Sequence, residues 1–376
     1  MSALQTVHGQ PSWRLANGAV EAFVTETGGH LGPVLFRLGD RTVQPYHVAP
    51  WAEEHHADLP PMLRVLRGDF FCAPFGGGEP FEGEDHPPHG ETANASWAFE
   101  ALEHREDEAV LRLSLETTIR PGHVTRAITL VEGHTALYQR HTITGMTGPM
   151  SMGHHAMLRF PDREGSGLVA TSPFQFGQTS PVPIEDPAHR GYSLLRPGAR
   201  FDRLGAVPTV TGEPADLSRY PARRGYEDLV LLTSEEGSLA WTAVTFPAEG
   251  YVWFTLKDPR VLRHTVLWLS NGGRHYPPWS GRHANVLGLE EVTSYFHLGL
   301  AASAAPNPLS EQGLPTVHHL DGAPFEVACI NAVAAVPDGF DGVAEIRPHA
   351  GEEAVTLTSR SGRAATVPLR HAFLSA

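Results

Sequence analysis

Apolar and polar residues alternate with a period of two through much of this 376-residue chain. That period constrains the fold more than any other feature, because successive strand side chains point to opposite faces. Ala19–Thr25, Ala109–Leu115, Thr125–Val131, Tyr138–Ile143, Leu229–Thr233, Leu239–Phe246, Tyr251–Leu256 and Thr265–Leu269 are rich in β-branched and aromatic residues, the composition that suits a pleated, half-buried surface. Val343–Ile346, Ala354–Thr358 and Ala364–Leu369 continue the pattern, with Ser359–Gly362 as a turn. Glu132-Gly133-His134 has the form of a tight hairpin loop. The 38 Gly and 32 Pro are spread along the chain, the punctuation of many short strands. Amphipathic helices longer than two or three turns and fixed-period repeats are missing. The expectation is an all-β protein, a large antiparallel β-sandwich in which residues 1–376 form a single domain. Two long irregular stretches, Pro74–Ala95 and Ser172–Arg224, have lengths that mark functional or mobile loops.

Charge narrows the partners. With 28 Lys plus Arg against 42 Asp plus Glu, the formal net charge is −14, which argues against a nucleic-acid surface or an anionic membrane. Hydrophobic residues at 41% supply a core, and charged residues at 19% are too few for disorder. Cys72 and Cys329 do not make a disulfide framework. Met1–Ser12 has neither a basic n-region nor an apolar h-region, and no apolar run has the roughly 18–20 residues of a spanning helix. A soluble, cytoplasmic protein is expected. Lys257 is the only lysine, so a Schiff base has one candidate, and it lacks the glycine-rich context of a phosphate-binding loop.

Three segments carry polar residues in places where chemistry is done. The first runs from Arg67 through Phe70, Cys72 and Pro74 to Gly76, and is followed by His89-Gly90 and Trp97. The second is Met150–Phe160. Alternation puts Met152, His154, Ala156, Leu158 and Phe160 on one face, and Ser151, Gly153, His155, Met157 and Arg159 on the other. The apolar face belongs to the core, so His155 faces a cleft beside a glycine that leaves room for a ligand, and His154 is a core or edge histidine. The third is Asn285–Val292. Leu287 and Leu289 share a face with Glu291, whereas Gly288 and Glu290 share the other. If the leucines are core, Glu290 enters the open side next to a glycine-made space and Glu291 lies at the strand end near solvent. A carboxylate beside an imidazole in a cleft is the pairing that acid/base chemistry requires.

In this order, the segments resemble the galactose mutarotase-like superfamily, the aldose 1-epimerases and their relatives. Ala19–Val43, with Thr27-Gly28-Gly29-His30, is similar to that family's opening hairpins. Arg67–Gly76 resembles the arginine-bearing strand and proline–glycine loop of the hexose-phosphate branch, and His89-Gly90 with Trp97 matches its histidine–glycine segment. Gly153–Leu158 resembles the strand that carries the family's histidine and selects His155. Thr265–Trp268 is similar to a late strand, and Leu289-Glu290 matches the step that carries the catalytic base. The resemblance spans roughly Ala19 to Leu300, and the remaining strands resemble the closing part of the same sandwich. The departures are Ala93 near the place of the phosphate branch's arginine, Met157-Leu158 in place of an aromatic pair, and Val292 two residues after Glu290.

The resemblance implies an isomerase without cofactor or metal that interconverts the anomers of a small-molecule sugar. Glu290 is the expected general base and protonated His155 the general acid. Arg67, His89 and Asp228 are expected to bind hydroxyls, with Asp258 as the fallback for Asp228, and Trp97, Trp268 or Trp279 to stack on a sugar face. Ala93 makes a phosphorylated sugar doubtful. Two other classes fit the same scaffold: a non-catalytic sugar-binding or sensing protein, and a carbohydrate lyase or hydrolase. Against the latter, no second carboxylate pairs with Glu290 in the sequence. His55-His56, His86 and His89 are close in sequence, but without ligand spacing they make a weak metal motif.

Overall fold

The computed structural model describes residues 4–375. Nearly all regular structure is β, and every named strand pair is antiparallel. The two large sheets hold the middle of the chain. The nine-stranded sheet is centred on Ala240–Phe246, Tyr251–Lys257, Phe325–Ala335 and Ala136–Thr144. The eight-stranded sheet is centred on Tyr226–Ser234, His264–Asn271 and Val286–Thr293. A five-stranded sheet from Gln5–Val7 to Arg41–Val43 closes one end. Apolar residues of all three sheets, among them Trp13, Leu113, Ile128, Leu158, Leu267 and Leu289, converge in one buried cluster. The expected β-sandwich is therefore the fold. Among the described residues no helix is long and apolar enough to cross a membrane.

The strands expected from alternation are present, and the Glu132–His134 loop joins Gly122–Val131 to Ala136–Thr144 with Gly133 at φ +77°. The C-terminal strands differ from the expectation. Val343–Pro348, Ala354–Ser359 and Ala364–Pro368 form a separate three-stranded sheet rather than closing the sandwich. Their Val343, Ile346, Val355, Leu357 and Val367 pack with Trp241, Phe254 and Ile330 on the outer face of the nine-stranded sheet. That face is apolar and needs a cover, and three short strands provide it.

The eight-stranded sheet is likewise covered on both faces. Its inner face joins the main core, and its outer face carries Met157, Leu229, Leu231, Val266, Trp268 and Val286 under a cap of loops and short helices. Residues of Val286–Thr293 are consequently buried from end to end. Glu291 is 2% exposed and pairs through Oε2 with Lys257 Nζ at 2.6 Å, so it does not lie near solvent as expected. The hydroxyls of Thr242 and Thr265 each donate to its carboxylate at 2.6 Å. The one lysine of the chain is thus spent neutralising a carboxylate between the two large sheets.

Candidate active site

Met150–Phe160 is not one regular strand. It splits into Met152–His154 and Ala156–Arg159, both paired with Val286–Thr293, and His155 sits at the break. The His155 N–H leaves the ladder and donates to Phe70 O at 2.9 Å and to Asp69 Oδ1 at 3.0 Å. The break aims the imidazole out of the sheet's outer face. Across the adjoining ladder, Glu290 is level with Val266 and projects to the same face. His155 Nε2 and Glu290 Oε1 lie 3.3 Å apart. The pair is close enough for proton exchange, but no donor is aligned on Oε1 as a hydrogen bond. Gly288 makes the carboxylate's space, because a Cβ there would strike Glu290 Oε1 and Trp268 Cβ. Gly153 serves a different purpose from the one expected. A Cβ there would strike the backbone of Glu291 and Val292, so this glycine permits close strand pairing and opens no ligand space.

The walls are aromatic. Phe70 stacks on His155 at 4.5 Å, with His30 stacked on its other side at 4.0 Å. Trp268 meets His155 edge-on at 5.8 Å, and Trp279 stands 6.0 Å from Trp268. The Arg274 guanidinium sits over both indoles, 5.3 Å from Trp268 and 4.5 Å from Trp279. It is ion-paired with Glu185. His89 accepts at Nδ1 from Gly76 N–H at 3.4 Å and is 3.3 Å from the Cys72 thiol. Nδ1 is therefore the acceptor, and Nε2 carries the proton. The cleft between these groups has a volume of about 120 Å³ and is completed by His297, Met62, Leu63, Leu66, Ile184 and Leu229.

Burial sets the protonation. It drives the Glu290 carboxyl well above the ordinary carboxylate range, with Arg274 opposing. It drives His155 well below the ordinary imidazole range, helped by His89. His89 falls to about 3 and His297 to about 4 for the same reason. Both shifts favour a neutral imidazole and a protonated carboxyl over the expected imidazolium and carboxylate. Both forms contain one proton between them, so a transfer over 3.3 Å interconverts them without exchange with solvent.

Of the residues expected from sequence, Glu290, His155, His89, Trp268 and Trp279 meet in this cleft. Arg67 does not. Its guanidinium is buried and donates to Val65 O at 3.0 Å, Val7 O at 2.8 Å and His8 O at 3.0 Å, tying the first strands to the core. Arg67→Ala leaves those carbonyls without a donor, so a loss of about 1–3 kcal/mol in stability is expected. Thermal unfolding checks the loss, and a sugar titration checks that ligand affinity is unchanged. Trp97 is also outside, in the main core, with its indole N–H on Thr92 O at 3.0 Å.

Asp228 is on the wrong face. It accepts from the Leu194 and Leu195 N–H groups at 2.9–3.1 Å and borders a different cavity. Its neighbour Glu227 shares the cleft face with Leu229. Glu227 accepts from Trp268 Nε1 at 3.0 Å, Ser270 Oγ at 2.9 Å and Gly273 N at 3.2 Å, and burial raises it to about 7. Asp258 pairs with Arg260 in the turn after Tyr251–Lys257 and is absent from the cleft lining. Sequence reasoning passed over Arg274, Glu185, Glu227 and His297. The signal available for Arg274 was the Gly–Gly–Arg–His run at 272–275, a polar loop leaving a late strand.

The sequence-adjacent loop histidines share no site, since His56 pairs with Glu54 and His86 with Glu84. The titratable groups that do come together, Asp69, His154 and Cys329, lie buried behind the cleft floor. Asp69 Oδ2 accepts from His154 Nδ1 at 3.1 Å and Gln139 Nε2 at 2.6 Å, and Arg126 in turn donates to Gln139 Oε1 at 2.6 Å. This network anchors the carboxylate that holds the His155 backbone.

No family model matches the chain, and no curated protein sequence matches it. Solved structures do. A galactose mutarotase related enzyme from Lactobacillus acidophilus superposes with a TM-score of 0.54 at 12% identity, over 86% of this chain and 97% of that one. The aldose epimerase homologue from C. elegans gives 0.55 at 13% identity, over 87% and 100%. A galactose mutarotase-like protein from Clostridium acetobutylicum gives 0.55 at 11% identity, over 88% and 98%. With a sandwich of the same extent at such low identity, the chain is a divergent protein of the galactose mutarotase-like fold.

Proposed function

We propose that this chain is an aldose 1-epimerase-type isomerase that interconverts sugar anomers by opening and reclosing the ring. The observation that carries the proposal is the His155–Glu290 pair, 3.3 Å apart at the floor of a cleft walled by Trp268 and Trp279. Ring opening removes the proton of the anomeric hydroxyl and delivers one to the ring oxygen. A pair that holds one proton between two sites does both, provided each oxygen faces one member. With the pair's proton first passed from Glu290 to His155, the Glu290 carboxylate takes the hydroxyl proton as the His155 imidazolium gives one to the ring oxygen; rotation about the C1–C2 bond of the open aldehyde and the reverse transfers complete the exchange. His89 Nε2–H donates to a sugar oxygen, and the indole faces supply apolar contact to the ring.

The test is anomer exchange measured by NMR magnetisation transfer over a panel of free aldoses and hexose phosphates. Acceleration by the protein supports the proposal, and its absence with every sugar overturns it. The kcat/KM profile reports the free enzyme's pair. The one-proton state persists from the depressed imidazole pKa up to the elevated carboxyl pKa. The expected acid limb therefore lies well below pH 6.5 and the alkaline limb well above pH 4.5. An acid limb at or above 6.5 would put a cationic imidazole in the resting cleft.

A further inference from the structure

The polar atoms of the cleft gather around Glu290, the three imidazoles and Arg274, and apart from the indoles of Trp268 and Trp279 the rest of the lining is aliphatic. Met62, Leu63 and Leu66 come from the Pro61–Val65 helix and its exit, Ile184 from the long 172–224 loop, and Leu229 from the sheet beside Trp268. A hexopyranose carries five hydroxyls, and each one that is buried needs a hydrogen-bond partner. The two further carboxylates near the cleft are already engaged. Glu185 takes the Arg274 guanidinium and faces Tyr276 Oη at 3.4 Å. Glu227 takes Trp268, Ser270 and Gly273. A hydroxyl against the aliphatic side is left without a partner and costs affinity, whereas a methyl group gains it. Charge points the same way: the cleft's one guanidinium has a carboxylate partner, so a phosphate meets no free cation.

We infer that the ligand is a neutral deoxy sugar, a 6-deoxyhexose in which a methyl group replaces the hydroxymethyl, held with that methyl against Met62, Leu63, Leu66, Ile184 and Leu229. The inference rests on the epimerase reading for its catalytic readout and on the cleft lining for its binding readout, so the two are tested separately. Matched pairs are used: galactose and 6-deoxygalactose, glucose and 6-deoxyglucose, mannose and 6-deoxymannose in both enantiomers, with glucose 6-phosphate alongside. Exchange is measured by NMR, and binding by the fluorescence of the cleft tryptophans. An apolar pocket discriminates against an added hydroxyl by at most about 100-fold, so the deoxy member of the best pair is expected to be favoured about 10- to 100-fold in kcat/KM and in affinity.

Exchange of the parent hexose as fast as its deoxy partner, or a preference for the phosphate, overturns the inference and leaves the epimerase reading standing. Exchange of no sugar overturns the epimerase reading, and the affinity ratio then decides the inference alone: tighter deoxy binding supports it, and equal or absent binding overturns it. Met62→Gln, which puts an amide of similar length in the wall, is expected to cut the deoxy preference at least threefold. An unchanged preference in a folded variant overturns the assignment of the methyl to this wall.

Discussion

Glu290→Gln is expected to lower the rate of the proposed anomer exchange by about 10²–10⁴-fold, the usual contribution of one positioned acid/base group. The substitution suits the test because the site is shaped for the side chain's volume. Gly288 and Trp268 bound the carboxyl, and an amide of the same outline fits the same space. Sugar affinity is therefore expected to hold while turnover fails. Stability reports the raised carboxyl independently of turnover. The Glu290 carboxyl is raised in the folded state, so folding favours its protonated form. That contribution is complete below pH 4.5 and is lost as pH rises through the folded-state value. The Gln variant has no such loss, so its melting temperature should rise relative to wild type with increasing pH. Full activity in the variant would remove Glu290 from the mechanism.

Lys257→Met is expected to destabilise the protein by about 3–5 kcal/mol, because it leaves Glu291 as an uncompensated charge between the sheets. Lys257 Nζ also donates to His264 O at 2.6 Å and Thr265 Oγ1 at 2.9 Å. The loss is therefore shared between the nine-stranded and eight-stranded sheets. Replacing both partners, Lys257→Met with Glu291→Leu, is expected to recover most of it, since apolar pairs of similar volume replace buried ion pairs at little cost. Urea unfolding of wild type, both single variants and the double variant measures the coupling. Additive effects would show that the two side chains do not act as a pair.

Alternation made the catalytic candidates legible because it had a phase reference. Leu287 and Leu289 are inner-face residues, so Glu290 was bound to point outward, and Leu158 did the same for His155. Tyr226–Ser234 offered no such reference. Leu229, Val230, Leu231 and Leu232 are all buried, since both faces of that sheet are covered. Parity between Glu227 and Asp228 is then invisible in sequence, and the structure puts Glu227 rather than Asp228 on the cleft face. Double coverage also hid the fate of Glu291. Arg67 misled for another reason: a guanidinium that serves main-chain carbonyls reads like one that serves a ligand. Arg274 lies in an irregular Gly-, Pro- and His-rich turn where no period exists to place it.

The division of labour in the cleft has a bearing on how such a protein changes over time. Glu290 lies on a strand and His155 at the break between two, fixed from behind through Asp69, Gln139 and Arg126. Much of the rest of the cleft lining, Met62, Ile184, Arg274 and Trp279, is borne by connections outside the sheets. Under the proposed epimerase reading, reactivity and selectivity are encoded in separate stretches of chain. A mutational library confined to residues 61–66, 180–192 and 272–284 would sample new substrates while the reaction itself stays intact.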